Sequence, residues 1–331
     1  MNYEALFQKF ENKRILVIGD VMMDAYLIGK VNRISPEAPV PIISLDQEEQ
    51  RIGGAGNVAL NLVALGAHPI VCSVIGADTY GEDLIRIFEE NRISTAGIIK
   101  SSTRKTTVKT RVISSKQQLL RIDSETTTFI TLEEEEFLLN QLNTLIESGI
   151  DGIIFEDYNK GVLTKNLIQK AIELAKLSDI PTTVDPKKDN FFAYKGVTLF
   201  KPNLKELKEG LNLKFNFQND KQAFESAVIE LEEKLNNEIS FITLSEFGVF
   251  IKQSELKQYV AAHVRNIADV SGAGDTVIAV ATLCLVAGAS AKEIAEISNI
   301  AGGLVCEKSG VVSISKEELI NELRTLLPHL I

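Results

Sequence analysis

Positive charge, cysteine and histidine are all scarce in this sequence, and each shortage closes off a class of function. Lysine and arginine number 35 against 45 aspartates and glutamates, a formal net charge of −10. A broad nucleic-acid surface needs a basic stripe, so no nucleic-acid partner is expected. The three cysteines, Cys72, Cys284 and Cys306, are scattered through apolar segments. They read as buried thiols in a reducing cytoplasm. The three histidines, His68, His263 and His329, lack metal-ligand spacing, so no zinc site is expected. No apolar run approaches the ~20 residues of a membrane helix. The opening Met1-Asn-Tyr-Glu-Ala-Leu-Phe-Gln-Lys-Phe10 also lacks the charged-then-apolar layout of a signal peptide. A cytoplasmic protein without a membrane partner is expected.

What is present is ordinary globular composition: 331 residues, 45% hydrophobic and 24% charged. That suffices for one large α/β domain. Short apolar runs at 15–18, 70–75, 152–155, 182–184, 198–200 and 241–244 read as buried strands. Helix-like stretches lie at 57–65, 81–91, 132–147, 164–177, 204–211 and 220–235, with a last helix at 316–327. Thr131-Leu-Glu-Glu134 and Ser315-Lys-Glu-Glu318 have the form of capping boxes. Strand–helix alternation predicts a mostly parallel sheet with helices on both faces, a three-layer α/β/α domain over 1–331. Two segments break the rhythm. One spans Ala25 to Ser44, with Pro36, Pro39 and Pro41; the other spans Thr106 to Asp123, with Lys109, Arg111, Lys116 and Arg121. Their alternation predicts antiparallel ribbons outside the main sheet, a small β-lid built from about 21–50 and 103–124.

The most informative stretch is Asp269-Val-Ser-Gly-Ala-Gly-Asp275, which runs into an almost wholly apolar helix. Gly272 and Gly274 allow close backbone approach and positive φ. The N–H groups of Gly272, Ala273, Gly274 and Asp275 are expected to converge as an anion nest at a helix N-terminus. A lone aspartate in a first turn usually does no more than favour the helix dipole, by about 0.3–1 kcal/mol. Beside an anion nest it makes sense as a group that does chemistry, with its pKa kept low by the helix end.

Ligands in open parallel sheets bind beyond the carboxyl ends of the strands. Polar residues follow five of the expected strands: Asp20 and Asp24, Glu156 and Asp157, Asp185 and Lys187, Lys201, Asn203 and Glu206, and Ser245 with Glu246. Gly53-Gly54-Ala-Gly-Asn57 fits the loose dinucleotide fingerprint, but the polar residues Asp46 to Arg51 stand where that fingerprint needs a buried strand. The segment reads instead as a glycine turn admitting a hydroxylated ligand, with Asn57 bonding to it. No P-loop pattern occurs. An anion nest, a carboxylate and sugar-suited polar groups on one rim fit phosphoryl transfer from a nucleotide to a hydroxyl.

These residues resemble the ribokinase-like (PfkB) carbohydrate kinases over nearly the full chain. Gly53–Asn57 is similar to that family's first glycine signature. Asp269–Asp275 is similar to its second, with Ser271 where threonine is commoner. The resemblance implies Asp275 as catalytic base and Gly272, Ala273 and Gly274 as the anion hole. It implies a nucleotide site at Asn203, Glu206, Ser271, Thr243, Ser245 and Gly248, with Glu206 serving Mg²⁺ indirectly. ATP, Mg²⁺ and, as an open question, a monovalent cation come with it. Within the family, Gly19–Asp24, Arg33–Pro41, Glu156–Gly161 and Asp185–Lys187 resemble the kinases of bacterial heptose biosynthesis. That implies phosphorylation of D-glycero-β-D-manno-heptose 7-phosphate at its anomeric hydroxyl. Substrate contacts are then expected at Asp20, Asp24, Arg33, Gly53, Gly54, Asn57, Asp157 and Lys187. Glu156 departs from the family, standing where serine is usual. Many such relatives carry a nucleotidyltransferase domain after the kinase; with Ile331 the last residue given, only the kinase step is expected here.

A phosphorylated sugar needs a cation for its own phosphate, and Lys109, Arg111, Arg121 and Lys187 are the candidates. A ribbon with open edges predicts a homodimer through the lid. The rival expectations are a kinase of the same fold for another sugar phosphate or nucleoside, and a non-catalytic sugar- or nucleotide-binding regulator.

Overall fold

The computed structural model describes residues 3–115 and 117–326. Lys116, Leu327 and His329 lie outside the described residues. The first half of the chain forms α1 (Tyr3–Gln8), β1 (Arg14–Gly19), β2 (Val21–Ile34), β3 (Pro41–Gly54), α2 (Ala55–Ala64), β4 (His68–Gly76), α3 (Thr79–Glu90), β5 (Ser94–Ser101), β6 (Val108–Ser114) and β7 (Gln117–Ser124). The second half forms α4 (Leu132–Glu147), β8 (Gly152–Glu156), α5 (Lys165–Leu177), β9 (Thr182–Asp185), β10 (Leu199–Phe200), α6 (Leu204–Gly210), α7 (Lys221–Leu235), β11 (Ile239–Thr243), β12 (Val249–Gln253), β13 (Leu256–Val260), α8 (Ala273–Val286), α9 (Ala291–Cys306) and α10 (Lys316–Leu326).

Nine strands form the main sheet in the order β13-β12-β11-β10-β9-β8-β1-β4-β5. Every pair from β5 to β11 is parallel, and β12 and β13 add an antiparallel edge. The apolar run of β1 shows why its strand reads as continuous rather than alternating. Ile15 and Val17 join one core, with α2, α8 and α9, while Leu16 and Ile18 join the other, with α4, α5 and α7. Both faces of β1 are covered, and its middle positions are accordingly all apolar. The expected strand at 241–244 starts earlier, at Ile239. Three strands, α1 and α9 were not foreseen; β13 is partly exposed and polar, and β5 carries polar residues at its ends. Thr131 and Glu134 form the full capping box of α4, whereas Ser315 caps Glu318 N–H without the reciprocal bond.

β3, β2, β6 and β7 form a separate four-stranded sheet. Its outer pairs are antiparallel, as expected of ribbons, but they are joined by a parallel β2–β6 pair. β3 runs past residue 50 to Gly54 and passes directly into α2. The residues Asp46 to Arg51, read as too polar for a buried strand, lie in this lid strand. It is an exposed antiparallel lid strand rather than a buried parallel one, so the dinucleotide context still fails. At its root the lid buries Met23, Ala25, Ile52 and Val108 in the main core. Cys72 and Cys284 are buried and Cys306 is only half-buried, a correction to the expectation of three buried thiols; all are free. Among the described residues, no helix is long and apolar enough to cross a membrane.

Candidate active site

Strand register brings the chemistry to one level. Gly19 pairs with Glu156, and Glu156 with Asp185. Phe200 pairs with Val184, which places Lys201 beside Asp185. All lie at carboxyl strand ends. A recess of about 290 Å³ lined by Glu232, Asn237, Lys252 and Ser254 sits at the opposite, amino-terminal end of β11. The expected rim instead carries a pocket of about 130 Å³. That pocket gathers Asp24, Gly53, Gly54, Lys109, Arg111, Ser271, Gly272 and Asp275 from the sequence reading and adds Met22, Tyr158 and Val311.

Asp275 is 5% exposed, at the third position of α8. Asn57 Nδ2 donates to its Oδ2 at 2.7 Å, and Tyr158 OH donates to its Oδ1 at 2.8 Å. Burial raises its pKa above the ordinary aspartate value, and these two bonds only partly oppose that. The expectation of a depressed pKa at a helix end is thus reversed: loss of hydration outweighs the dipole. Gly272 caps α8 in the left-handed region, φ 78°, with no side-chain cap. A Cβ there would lie 2.8 Å from Asn57 Nδ2, so glycine is needed for space as well as conformation. Ala273 N–H is drawn into the turn by Val270 O at 3.3 Å. The amides of Gly272, Gly274 and Asp275 have no partner among the described residues, so the nest has three free donors where four were expected.

The glycine signature works through its helix. Asn57 is buried on α2 and spends its amide on Asp275 rather than on a ligand, while its Oδ1 has no partner. Gly53 gives room to Asp24: a Cβ there would sit 2.5 Å from Asp24 Oδ2.

Two expected substrate carboxylates turn inward, correcting their assignment. Asp20 accepts the backbone N–H groups of Tyr158, Lys160 and Val162 at 3.0–3.1 Å. Burial and the nearby Asp157 push its pKa up to about 6 against those bonds. Asp157 accepts Asn159 N–H, Tyr194 OH and Asn190 Nδ2, and burial raises its pKa too. Both hold the 157–162 loop, and with it Tyr158, in place.

On the lid, directly paired residues share a face. Asp24 stands beside Arg51 and Lys109, and Tyr26 beside Arg111. Arg111 is ion-paired to Asp24 and lies 5.4 Å from the Tyr26 ring centre. Arg51, which sequence reading missed, lies 4.9 Å from the same ring and pairs with Glu49; strand register, not any local signal, sets it opposite Asp24. Lys109 forms no ion pair among the described residues and sits 5.3 Å from the Tyr158 ring centre. Burial lowers its pKa, with Asp24 partly restoring it. Arg121, though opposite Arg111, is exposed and bonds Asp123 on its own strand. Arg33 is exposed near the ribbon tip, nine residues beyond Asp24, which is about 30 Å at strand rise. Neither belongs to this pocket.

Next to Asp275 runs a charged chain. Lys201 Nζ is 2.8 Å from Asp185 Oδ2, and Lys187 Nζ is 2.8 Å from Glu206 Oε1 and 3.7 Å from Asp185 Oδ1. Burial acts to raise Asp185, but Lys201 and Lys187 outweigh it and hold its pKa below the usual value. Burial likewise works against the Lys187 ammonium, and Asp185 and Glu206 outweigh it in the upward direction. Asn203 and Glu206 form the reciprocal cap of α6, Asn203 Oδ1 accepting at 2.8 Å and Glu206 Oε2 at 2.9 Å. Asn203 also bridges to Thr243. Ser245 and Gly248, both at positive φ, close the turn after β11. Ser271 is exposed, and its N–H bonds Asp269 Oδ1 at 2.9 Å.

Residues 12–318 match the pfkB family carbohydrate kinases. The bifunctional protein HldE of Sulfurimonas denitrificans is 42% identical over 92% of this chain, and that of Pelobacter propionicus 38% identical over 96%. The chain spans 63% and 64% of those relatives' lengths. Phosphofructokinase-2 from Escherichia coli in complex with potassium superposes with a TM-score of 0.78 at 20% identity, covering 96% of this chain and 99% of that one. Arabidopsis thaliana ribokinase complexed with ribose and ATP gives 0.70 at 16% identity, covering 94% and 98%.

Proposed function

Because the chain belongs to the pfkB family of carbohydrate kinases, we propose that it phosphorylates the anomeric O1 of D-glycero-β-D-manno-heptose 7-phosphate. The product would be the 1,7-bisphosphate, a precursor of ADP-heptose and of the lipopolysaccharide core. The observation that carries the chemistry is Asp275: a buried carboxylate, aimed by Asn57 and Tyr158, beside three unpaired amides. The likeness to the HldE proteins and the Arg33–Pro41 string support the choice of sugar.

ATP with Mg²⁺ would supply the phosphoryl group and neutralise part of its charge. Asp275 takes the proton of the attacking hydroxyl as that oxygen bonds to phosphorus. Each carboxylate oxygen has a second acceptor site, so the bonds from Asn57 and Tyr158 leave room for the substrate. Its raised pKa brings the base nearer neutrality, where proton transfer is efficient. The Gly272, Gly274 and Asp275 amides face the charge on the transferring group. Glu206 would serve a nucleotide-borne Mg²⁺ only indirectly, since both its oxygens already accept bonds, from Asn203 N–H and Lys187. Lys109 is the cation free to meet the distal phosphate, whereas Arg111 shapes Asp24 and the pocket wall. A site for a monovalent cation belongs to the same reading, the Escherichia coli phosphofructokinase-2 structure being a complex with potassium.

Incubation with ATP, Mg²⁺ and the heptose 7-phosphate should yield a bisphosphate whose new phosphorus couples to the anomeric proton. Asp275→Asn should lower kcat by about 10²–10⁴-fold while ATP binding is kept. Faster turnover of fructose 6-phosphate, ribose or adenosine would replace the substrate, and sugar binding without turnover would make the protein a regulator.

A second copy is proposed to pack on the lid, whose β7 edge exposes Leu120 and Ile122 and whose tip exposes Ile34 and Val40. Leu120→Asp should convert a dimer to a monomer in light scattering; a wild-type monomer at assay concentration would end that proposal.

A further inference from the structure

Glu156 takes no part in the chemistry above, yet it is the most unusual side chain of the rim. It is 0% exposed, and neither of its carboxylate oxygens has a hydrogen-bond partner among the described residues. Burial and the neighbouring Asp185 and Asp275 push its pKa well above the usual glutamate value, so its ionised form needs a cation to face it. Its oxygens approach those of Asp185 and Asp275, one from each residue lying within 4.8 Å of the others. Two oxygens on a cation about 2.1 Å away are about 3 Å apart when adjacent and about 4.2 Å when opposite. A bound of 4.8 Å is a little wider than that, so the three carboxylates stand near enough to converge on a shared hard cation by small side-chain shifts. Among the described residues two ammonium groups, Lys187 and Lys201, lie against Asp185 and Glu206, and a divalent ion would let Glu156 and Asp275 ionise beside them.

We propose that Glu156 and Asp185, with Asp275 at the edge, form a protein-borne seat for a divalent cation of the Mg²⁺ or Mn²⁺ class, filled without nucleotide. All-oxygen donors select such hard ions over zinc or copper. Glu156 and Asp185 end neighbouring strands in register, so the seat is set by the sheet rather than by a loop. Lys201 holds Asp185 Oδ2 at 2.8 Å and fixes the orientation of that carboxylate. An ion seated there lies beside the base and the helix nest, on the path between Asp275 and the Lys187–Glu206 pair.

The test is Mn²⁺ titration of the nucleotide-free, sugar-free protein, followed by loss of the free-ion electron paramagnetic signal. It does not depend on the kinase reading, and failure of either leaves the other standing. Wild type should bind one ion, and Glu156→Gln should weaken binding by about tenfold or more. Glu206→Gln should change affinity little. Glu156→Ser serves as the second variant, and melting curves with and without Mn²⁺ confirm that each variant is folded and show whether the ion stabilises it. Binding in wild type that both Glu156 variants retain overturns the proposal. Absence of binding in wild type at millimolar Mn²⁺ also overturns it, leaving Glu156 as a neutral buried acid.

Discussion

Replacing Tyr158 by phenylalanine isolates one hydrogen bond at the catalytic carboxylate. The ring stays, and with it the packing against Lys109 and Lys187, 5.3 and 5.5 Å from its centre. Only the hydroxyl that donates to Asp275 Oδ1 at 2.8 Å is lost. That bond favours the ionised form of Asp275 and opposes the upward push of burial. A hydrogen bond to a charged group contributes about 1.5–3 kcal/mol. At about 1.4 kcal/mol per pH unit, losing it should move the acid limb of the kcat/KM profile upward by about one to two pH units. The sign is fixed by which form the bond holds: without it the base keeps its proton to higher pH, so activity fails earlier as pH falls. The assay is kcat/KM for the sugar against pH in both proteins, with ATP saturating. At high pH the two curves should converge, because Asp275 is ionised in each. Equal loss at every pH, with an unmoved acid limb, would refute the assignment of Tyr158 as partner of the base.

The other expectations concern the cations. Lys109→Ala should raise KM for a phosphorylated sugar by about tenfold or more, the worth of one charge-assisted contact, while KM for ATP moves little; equal small changes in both would remove Lys109 from the sugar site. Lys201→Met should cost about 3 kcal/mol in urea unfolding at pH 7, the low end for breaking a buried pair, because Lys187 remains 3.7 Å from Asp185. The folded-state pKa of Asp185 is depressed, so the stability it contributes is present above the ordinary value of 3.8 and lost as pH falls through the folded value. The deficit of the variant should therefore shrink in acid. Matching unfolding midpoints at pH 7 would count against the pair.

The sheet was legible because β1, β4, β8 and β11 are buried on both faces and so read as short, largely apolar runs, while β9 adds only Val184 to two threonines. The turn before α8 was legible because glycine spacing and an aspartate in a first helical turn are local signals. The direction of the strand-end carboxylates was not. Asp20 and Asp157 follow strands just as Asp185 does, yet they turn to the backbone of the 157–162 loop, a choice made by tertiary partners such as Tyr194 and Asn190. Arg33 and Arg121 share the alternation of Lys109 and Arg111, but alternation gives the face and not the distance from the pocket. Tyr158 and Arg51 are placed by register with other strands and loops, which one sequence does not display. The helix α9 did carry a readable start, the Ser290–Glu293 capping box.

The lid joins the main domain at four places in the chain, and one of them is a single residue. β1 ends at Gly19 and β2 begins at Val21, so Asp20 alone links the main sheet to the lid there. The carbonyl of Asp20 accepts Ala55 N–H, where β3 passes into α2, and its carboxylate grips the loop that presents Tyr158. One residue thus touches the cover of the pocket, the helix bearing Asn57 and the loop bearing Tyr158. The two donors that aim Asp275 and the lid above it therefore share one anchor, and a change at Asp20 reaches all three at once.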